Sequence, residues 1–170
     1  KLFLEIGYAV FGEINQAVSL YSIFQILVMA ACFAYALMTL YQAGVSKTWI
    51  ALSFAMYAFL PYNICYSNTM WKDVLFGGAV CVFLTALFRI LRDIGKKQLW
   101  NYVLLAVSGL GFCLWRSNGF LALVAAFPVF AIVLWKEHKK VLTLILATLA
   151  LGWVMKGPVL SAMGVTQPDL

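Results

Sequence analysis

Two short polar clusters, Trp71-Lys72-Asp73 and Arg116-Ser117-Asn118-Gly119, are set in an otherwise apolar chain of 170 residues. Their residue types fit one kind of chemistry. Lysine and arginine bind phosphate oxygens, arginine through a two-pronged fork, and a carboxylate beside a cation can take a proton or orient a hydroxyl. From residue type alone the Lys72–Asp73 pair could bind a phosphate, a metal ion or a sugar hydroxyl, and Arg116, with Asn118 beside it, could fork onto phosphate oxygens; these four are the candidate site residues. A charge in or beside a membrane is expensive unless it meets water, a partner or a ligand, so each position asks for a reason.

Each cluster also has a plain structural reading. Trp and Lys anchor helices at a membrane interface, and an acid in the first turn suits the positive end of the helix dipole. Asn68 or Thr69 stands where a cap for that helix belongs. Arg116 at a helix C-terminus offsets the dipole, Ser117 or Asn118 can cap the next helix, and Gly119 eases the turn. Both readings stay open from the sequence. What favours function is that two separate loops each combine a cation with hydrogen-bonding groups.

The elements that must position these clusters are membrane helices. Charged residues make up 11% of the chain and apolar ones 65%, and the mean hydropathy is +0.96. A soluble domain needs far more charge on its surface. Six apolar stretches follow one another: Val18 to Leu40, Trp49 to Tyr66, Val74 to Leu91, Leu99 to Trp115, Phe120 to Trp135 and Val141 to Met155. A bilayer core takes about 20 apolar residues, with roughly 17 as the practical minimum, so the last two are short. The expected fold is all-α, a polytopic transmembrane bundle of about six spans over residues 18–156. Residues 1–17 form an outer-face segment before it, and residues 157–170 start an extracytoplasmic segment after it. Within Lys1 to Gln16, Leu2, Phe3, Ile6, Val10 and Ile14 with Glu5 and Glu13 fit either an interfacial helix or a returning loop. Pro61 and Pro128 predict kinks. With no initiator Met, no signal-peptide pattern and a polar end, the chain reads as an internal piece of a longer multi-pass protein.

Orientation follows from the basic residues. Lys47, Arg89, Arg92, Lys96, Lys97, Lys136, Lys139 and Lys140 fall in alternate connections, against Lys1, Lys72, Arg116 and Lys156 in the others. The positive-inside rule places the larger set in the cytoplasm, so both polar clusters face outward. Tyr62, Asn63 and Tyr66 crowd the outer end of the second span, and Tyr21 and Gln25 share one face of the first. Lys156 reads as an interface anchor at the last exit.

Several function classes drop out. The net charge of +6 lies in short loops between apolar spans, which orientation explains better than nucleic acid. Cys32, Cys65, Cys81 and Cys113 sit in four different apolar stretches with no CxxC pair, and read as small buried hydrophobes. His138, the single histidine, lies in the run Lys136-Glu137-His138-Lys139-Lys140, a solvated turn, so no histidine-based metal site is expected. No phosphate-binding loop, nucleophile elbow, HExxH or dinucleotide fingerprint occurs. Gly77-Gly78 and Gly109-x-Gly111 predict close helix contacts.

The run from Ala58-Phe59-Leu60-Pro61 through Asn68-Thr69-Met70-Trp71-Lys72-Asp73-Val74-Leu75-Phe76, followed by Arg116-Ser117-Asn118-Gly119, resembles a group of bacterial multi-pass membrane proteins. That group is in turn similar to the type C glycosyltransferases, which include protein O-mannosyltransferases and lipid A aminoarabinose transferases. The resemblance covers nearly the whole chain in its layout, on short motifs. It implies an outer interfacial helix before a span, an outward Asp opening a later span (here Asp73) and a basic-plus-glycine turn. The turn is usually Lys-Gly; here Arg116 stands with Gly119 displaced by two residues. It further implies that the principal catalytic acid precedes Lys1. The implied activity is sugar transfer from a polyprenyl-phosphate donor at the outer face of the bacterial cytoplasmic membrane. Arg116 and Lys72 would then contact phosphate, with Asp73 a secondary acid. The rival expectations are a transporter or flippase of a lipid-linked intermediate, which needs polarity at mid-membrane and broken helices, and a structural subunit.

Overall fold

The structure is a computed structural model that describes residues 8–9, 12–67, 69, 72–94, 98–136 and 138–159. Among the described residues there are seven α-helices and no strand: α1 (Ile14–Gln42), α2 (Lys47–Phe59), α3 (Pro61–Ser67), α4 (Lys72–Leu91), α5 (Gln98–Trp115), α6 (Ser117–Leu134) and α7 (Lys139–Val154). A wider π turn, Met155–Val159, follows α7. The expected all-α fold is what forms. α1, Asp73–Leu91 within α4, α5 and Lys139–Gly157 are long and apolar enough to cross a membrane, and Asn118–Leu134 is apolar but shorter. The chain is a membrane protein.

The second expected span is not one helix. α2 stops at Phe59, and Leu60 is extended at φ −65°, ψ 118° before Pro61 opens α3. A proline pushes the residue before it out of the helical region and cannot donate a bond of its own, so the chain breaks here rather than kinking. α6 instead runs unbroken through Pro128. Most of the expected segment 1–17 lies outside the described residues, and α1 begins at Ile14, ahead of the expected Val18.

Two helix ends close in the same way. Past α1, Gly44 at φ +84° lets its N–H donate to Tyr41 O and lets the Val45 N–H donate to Leu40 O. Past α4, Asp93 takes the same left-handed conformation at φ +52°, with Asp93 N–H donating to Ile90 O and Ile94 N–H to Arg89 O. Both are the paired bonds that satisfy the last carbonyls of a helix. The Gln98 amide, opening α5, donates to the Asp93 carboxylate.

The chain divides into two compact units, Lys1–Cys81 and Val82–Leu170, with the boundary inside α4. In the first, α1, α2 and α3 pack on one another. Phe33 stacks on Tyr57 with ring centroids 4.2 Å apart. Gly78 brings α4 against α1, for a side chain there would meet Met29 Sδ at 3.0 Å and Cys32 Sγ at 3.3 Å.

In the second unit α5, α6 and α7 pack pairwise. Phe83, from the second half of α4, lies against the rings of Phe112 and Phe130. Between helices in lipid there is no apolar area to hide from water, so association rests on close approach and dispersion. Small residues supply it. Gly109 faces Phe83 and Thr148, and Gly152 sits so near Cys113 that an added Cβ would come within 2.8 Å of the Cys113 Cβ. The buried hydroxyls nearby turn back onto their own helices, Ser108 to Leu104 O and Thr148 to Ile145 O. Of the expected glycine contacts Gly78 and Gly109 form, whereas Gly77 has nothing within 4 Å.

Candidate functional site

The first polar corner lies in the first unit, where α3 hands over to α4. Gln25 is completely buried on α1, and its Nε2 donates to Tyr66 O at 3.2 Å and to Thr69 O at 2.9 Å. One side chain thus ties the linker between two helices to a third. The Thr69 hydroxyl donates back to Tyr66 O at 2.8 Å. It closes the end of α3. Asn63 Nδ2 donates to Tyr57 O at 3.1 Å across the break at Pro61. This bond satisfies a carbonyl that the broken helix leaves over.

Tyr62 and Tyr66, four apart on α3, stack with centroids 4.5 Å apart, and their hydroxyls share a hydrogen bond of 3.0 Å. The pKa of the Tyr66 phenol is raised above its ordinary value, first by the hydrogen bond with Tyr62, which holds its proton, then by charge on Tyr62, burial and the Asp73 carboxylate. Asp73 is half-buried in the first turn of α4, where the helix dipole favours a carboxylate. Lys72 begins α4; its side chain lies outside the described residues, as do Asn68 and Trp71. Tyr66, Asn63 and Val74 also line a cavity of about 210 Å³ with Ile26, Met29 and Tyr57. Its walls are apolar apart from the tyrosine and asparagine groups.

The second corner lies in the second unit, where α5 turns into α6 through a single residue. Arg116 is extended at φ −139°, ψ 137° and is itself the N-cap of α6. Neither Ser117 nor Asn118 takes that place. The Arg116 carbonyl accepts the Gly119 N–H at 3.1 Å and also the Lys156 ammonium at 3.1 Å. Lys156 Nζ stands 5.8 Å above the Phe120 ring centroid, a cation–π distance. Gly119 is buried while Arg116 and Asn118 are exposed. Close packing of Gly152 on Cys113 and Phe120 sets the register that brings the π turn to this place.

This corner thus holds two cations, Arg116 and Lys156, and an exposed amide, Asn118. That set is suited to an anion with several oxygens. Lys156 was expected only as an anchor, and 40 residues separate it from Arg116. Asp73 and Lys72 belong to the first unit and Arg116 and Asn118 to the second, and each corner is a local structure in its own right. Among the described residues no group of three His, Cys, Asp or Glu side chains could hold a metal. None of the four cysteines is in a disulfide: Cys32 and Cys113 are buried, Cys81 is half-buried and Cys65 is exposed, against the expectation that all four are buried.

The fold and the two corners define an all-α, multi-pass membrane protein with polar groups gathered at helix ends. No family model, curated protein or solved structure matches the chain.

Proposed function

We propose that the protein is a membrane glycosyltransferase of the type C kind, moving a sugar from a polyprenyl-phosphate donor at the extracytoplasmic face of a bacterial cytoplasmic membrane. The observation that carries this reading is the Arg116–Lys156 corner. In such a transfer the acceptor hydroxyl attacks the anomeric carbon and the bond from that carbon to the phosphate oxygen breaks. The electron pair stays on the departing lipid phosphate, and a carboxylate takes the hydroxyl proton. Charge grows on the phosphate as it leaves, so cations fixed beforehand lower the barrier. Arg116 and Lys156 are assigned to that phosphate, and Asn118 to the phosphate or the sugar; Lys72, in the other corner, is a separate candidate phosphate contact. Asp73, in the first turn of α4 and one residue before the Val74 that lines a cavity with Tyr66, is the secondary acid that orients an acceptor or Lys72. The partners are membrane lipid and a polyprenyl-phosphate-linked sugar, with no nucleic acid.

The direct test is retention of undecaprenyl phosphate by the purified protein, read by native mass spectrometry. Arg116→Ala should remove most of it, and Arg116→Lys should restore part, since the fork is lost but the charge remains. Equal retention by wild type and Arg116→Ala would end the assignment.

A flippase of the same lipid is the second reading, and the break at Leu60–Pro61 favours it, because transporters use discontinuous helices. The buried hydroxyls of Ser108 and Thr148 satisfy their own helices, and that favours the enzyme. Proteoliposomes separate the two: a flippase moves a fluorescent polyprenyl phosphate across the bilayer with no sugar acceptor present.

A further inference from the structure

At the opposite end of the α6–α7 pair lies a groove of about 520 Å³, lined by Phe127, Trp135, Lys139, Leu142, Thr143 and Leu146. The volume is in the range of about 300–1,000 Å³ typical of small-molecule sites. Its floor and walls are hydrocarbon. The Thr143 hydroxyl already donates to the Lys139 carbonyl of its own helix, so apart from the Trp135 indole N–H the walls offer little hydrogen bonding to a sugar or a peptide backbone. The mouth is the reverse. Lys139 reaches it, and Lys136 and Lys140 are exposed alongside. Even with Glu137 counted, the run from Lys136 to Lys140 carries two net positive charges. Trp135, largely exposed at the end of α6, belongs to the amphipathic type that settles at headgroup level.

We infer that this groove is a binding site for an anionic phospholipid, one acyl chain lying along Phe127, Leu142 and Leu146 and the headgroup phosphate meeting Lys139 and its neighbouring lysines. The charge complementarity selects the lipid class. A zwitterionic headgroup brings a cation to the same lysines, whereas an anionic one does not. The site is independent of the transferase reading, since none of its residues belongs to either polar corner.

The test uses the purified protein in detergent, offered an equimolar mixture of phosphatidylglycerol and phosphatidylcholine and read by native mass spectrometry. Wild type should retain phosphatidylglycerol preferentially, and millimolar inorganic phosphate should not displace it, which separates a lipid site from a phosphate site. Lys139→Gln should cut the preference roughly fivefold, the worth of one lysine at an anionic surface, with Lys136→Gln/Lys139→Gln/Lys140→Gln abolishing it. Leu146→Trp, which fills the groove, should lower retention of both lipids, with helix content and elution volume unchanged. Unaltered phosphatidylglycerol retention in the triple variant and in Leu146→Trp would overturn the proposal. So would displacement by phosphate, or a wild-type dimer that Leu146→Trp dissolves, the mark of a second copy in the groove.

Discussion

The Lys156 ammonium donates to the Arg116 carbonyl at 3.1 Å, so the exit of α7 is fastened to the one-residue turn between α5 and α6. The bond is accepted by the backbone carbonyl of Arg116 and brings two basic residues, 40 positions apart, to one turn. Basic side chains gathered beside a membrane suit a ligand with several anionic oxygens, and that is the physical core of the phosphate assignment.

Lys156→Gln separates the structural part of this link from the electrostatic part. The hydrogen bond is exposed, so its loss should cost only about 0.5–1 kcal/mol, a shift of a few degrees at most in a detergent melt. Retention of undecaprenyl phosphate should fall much further, and Lys156→Arg should recover it. A large loss of stability with unchanged retention would make Lys156 a fastening and nothing more.

Glycine substitutions should rank by what their new Cβ meets. Gly77→Ala meets nothing within 4 Å and should be neutral or gain up to about 1 kcal/mol from helix propensity. Gly78→Ala meets the flexible Met29 thioether at 3.0 Å and should cost little. Gly152→Ala runs into the Cys113 Cβ at 2.8 Å, an atom that no rotamer change can move, and should cost about 1–3 kcal/mol. Cys113→Ser keeps that Cβ and should not rescue it. Reversible unfolding in mixed micelles gives the order, and a Gly77→Ala cost equal to that of Gly152→Ala would contradict the packing.

Which parts of this architecture can be read from sequence follows a physical line. Most apolar stretches are legible because apolar length is local, and a disturbance at Pro61 is too, because proline acts on its own neighbour, although the expected kink in one span is a break between two helices. The fastening of Lys156 to Arg116, the contact of Gly152 with Cys113 and the tie from Gln25 to the α3–α4 linker were hidden. Each depends on how a helix is rotated about its axis. Soluble helices announce that rotation by an apolar stripe, but α1 and α6 are apolar on nearly every side. Thr69 shows the same limit at short range, since it fits the end of one helix as well as the start of the next. Arg89 shows it at the other end of α4. It counts as a loop cation in the sequence yet is buried in the structure.

Arg89 gives the third prediction. Its Nε donates to Asn101 Oδ1 at 3.1 Å, and the Asn101 amide donates on to Gln98 Oε1 at 3.4 Å. Asn101 is buried too. Removing an acceptor from a buried charged donor costs about 1.5–3 kcal/mol, so Asn101→Leu should destabilise by that order although leucine is the better residue for lipid. A stabilised Asn101→Leu protein would show that the pair contributes nothing.

The last prediction concerns sidedness, on which both the transferase and the lipid groove depend. Alternation of the basic residues puts Asn118 outside and Lys139 inside, and both side chains are exposed. In a background with Cys32, Cys65, Cys81 and Cys113 replaced by serine or alanine, Asn118→Cys should react with a membrane-impermeant maleimide in intact cells. Lys139→Cys should react only after permeabilisation. The thiol-free background matters because Cys65 is exposed in the native chain and would label by itself. The reverse pattern would invert the topology. The Arg116–Lys156 corner would then face the cytoplasm, where soluble nucleotide sugars are the available donors. The groove would face outward, away from the leaflet whose anionic lipids the positive-inside rule reflects. Labelling at both sites in intact cells would mean that the short α6, Ser117–Leu134, does not separate the two compartments at all.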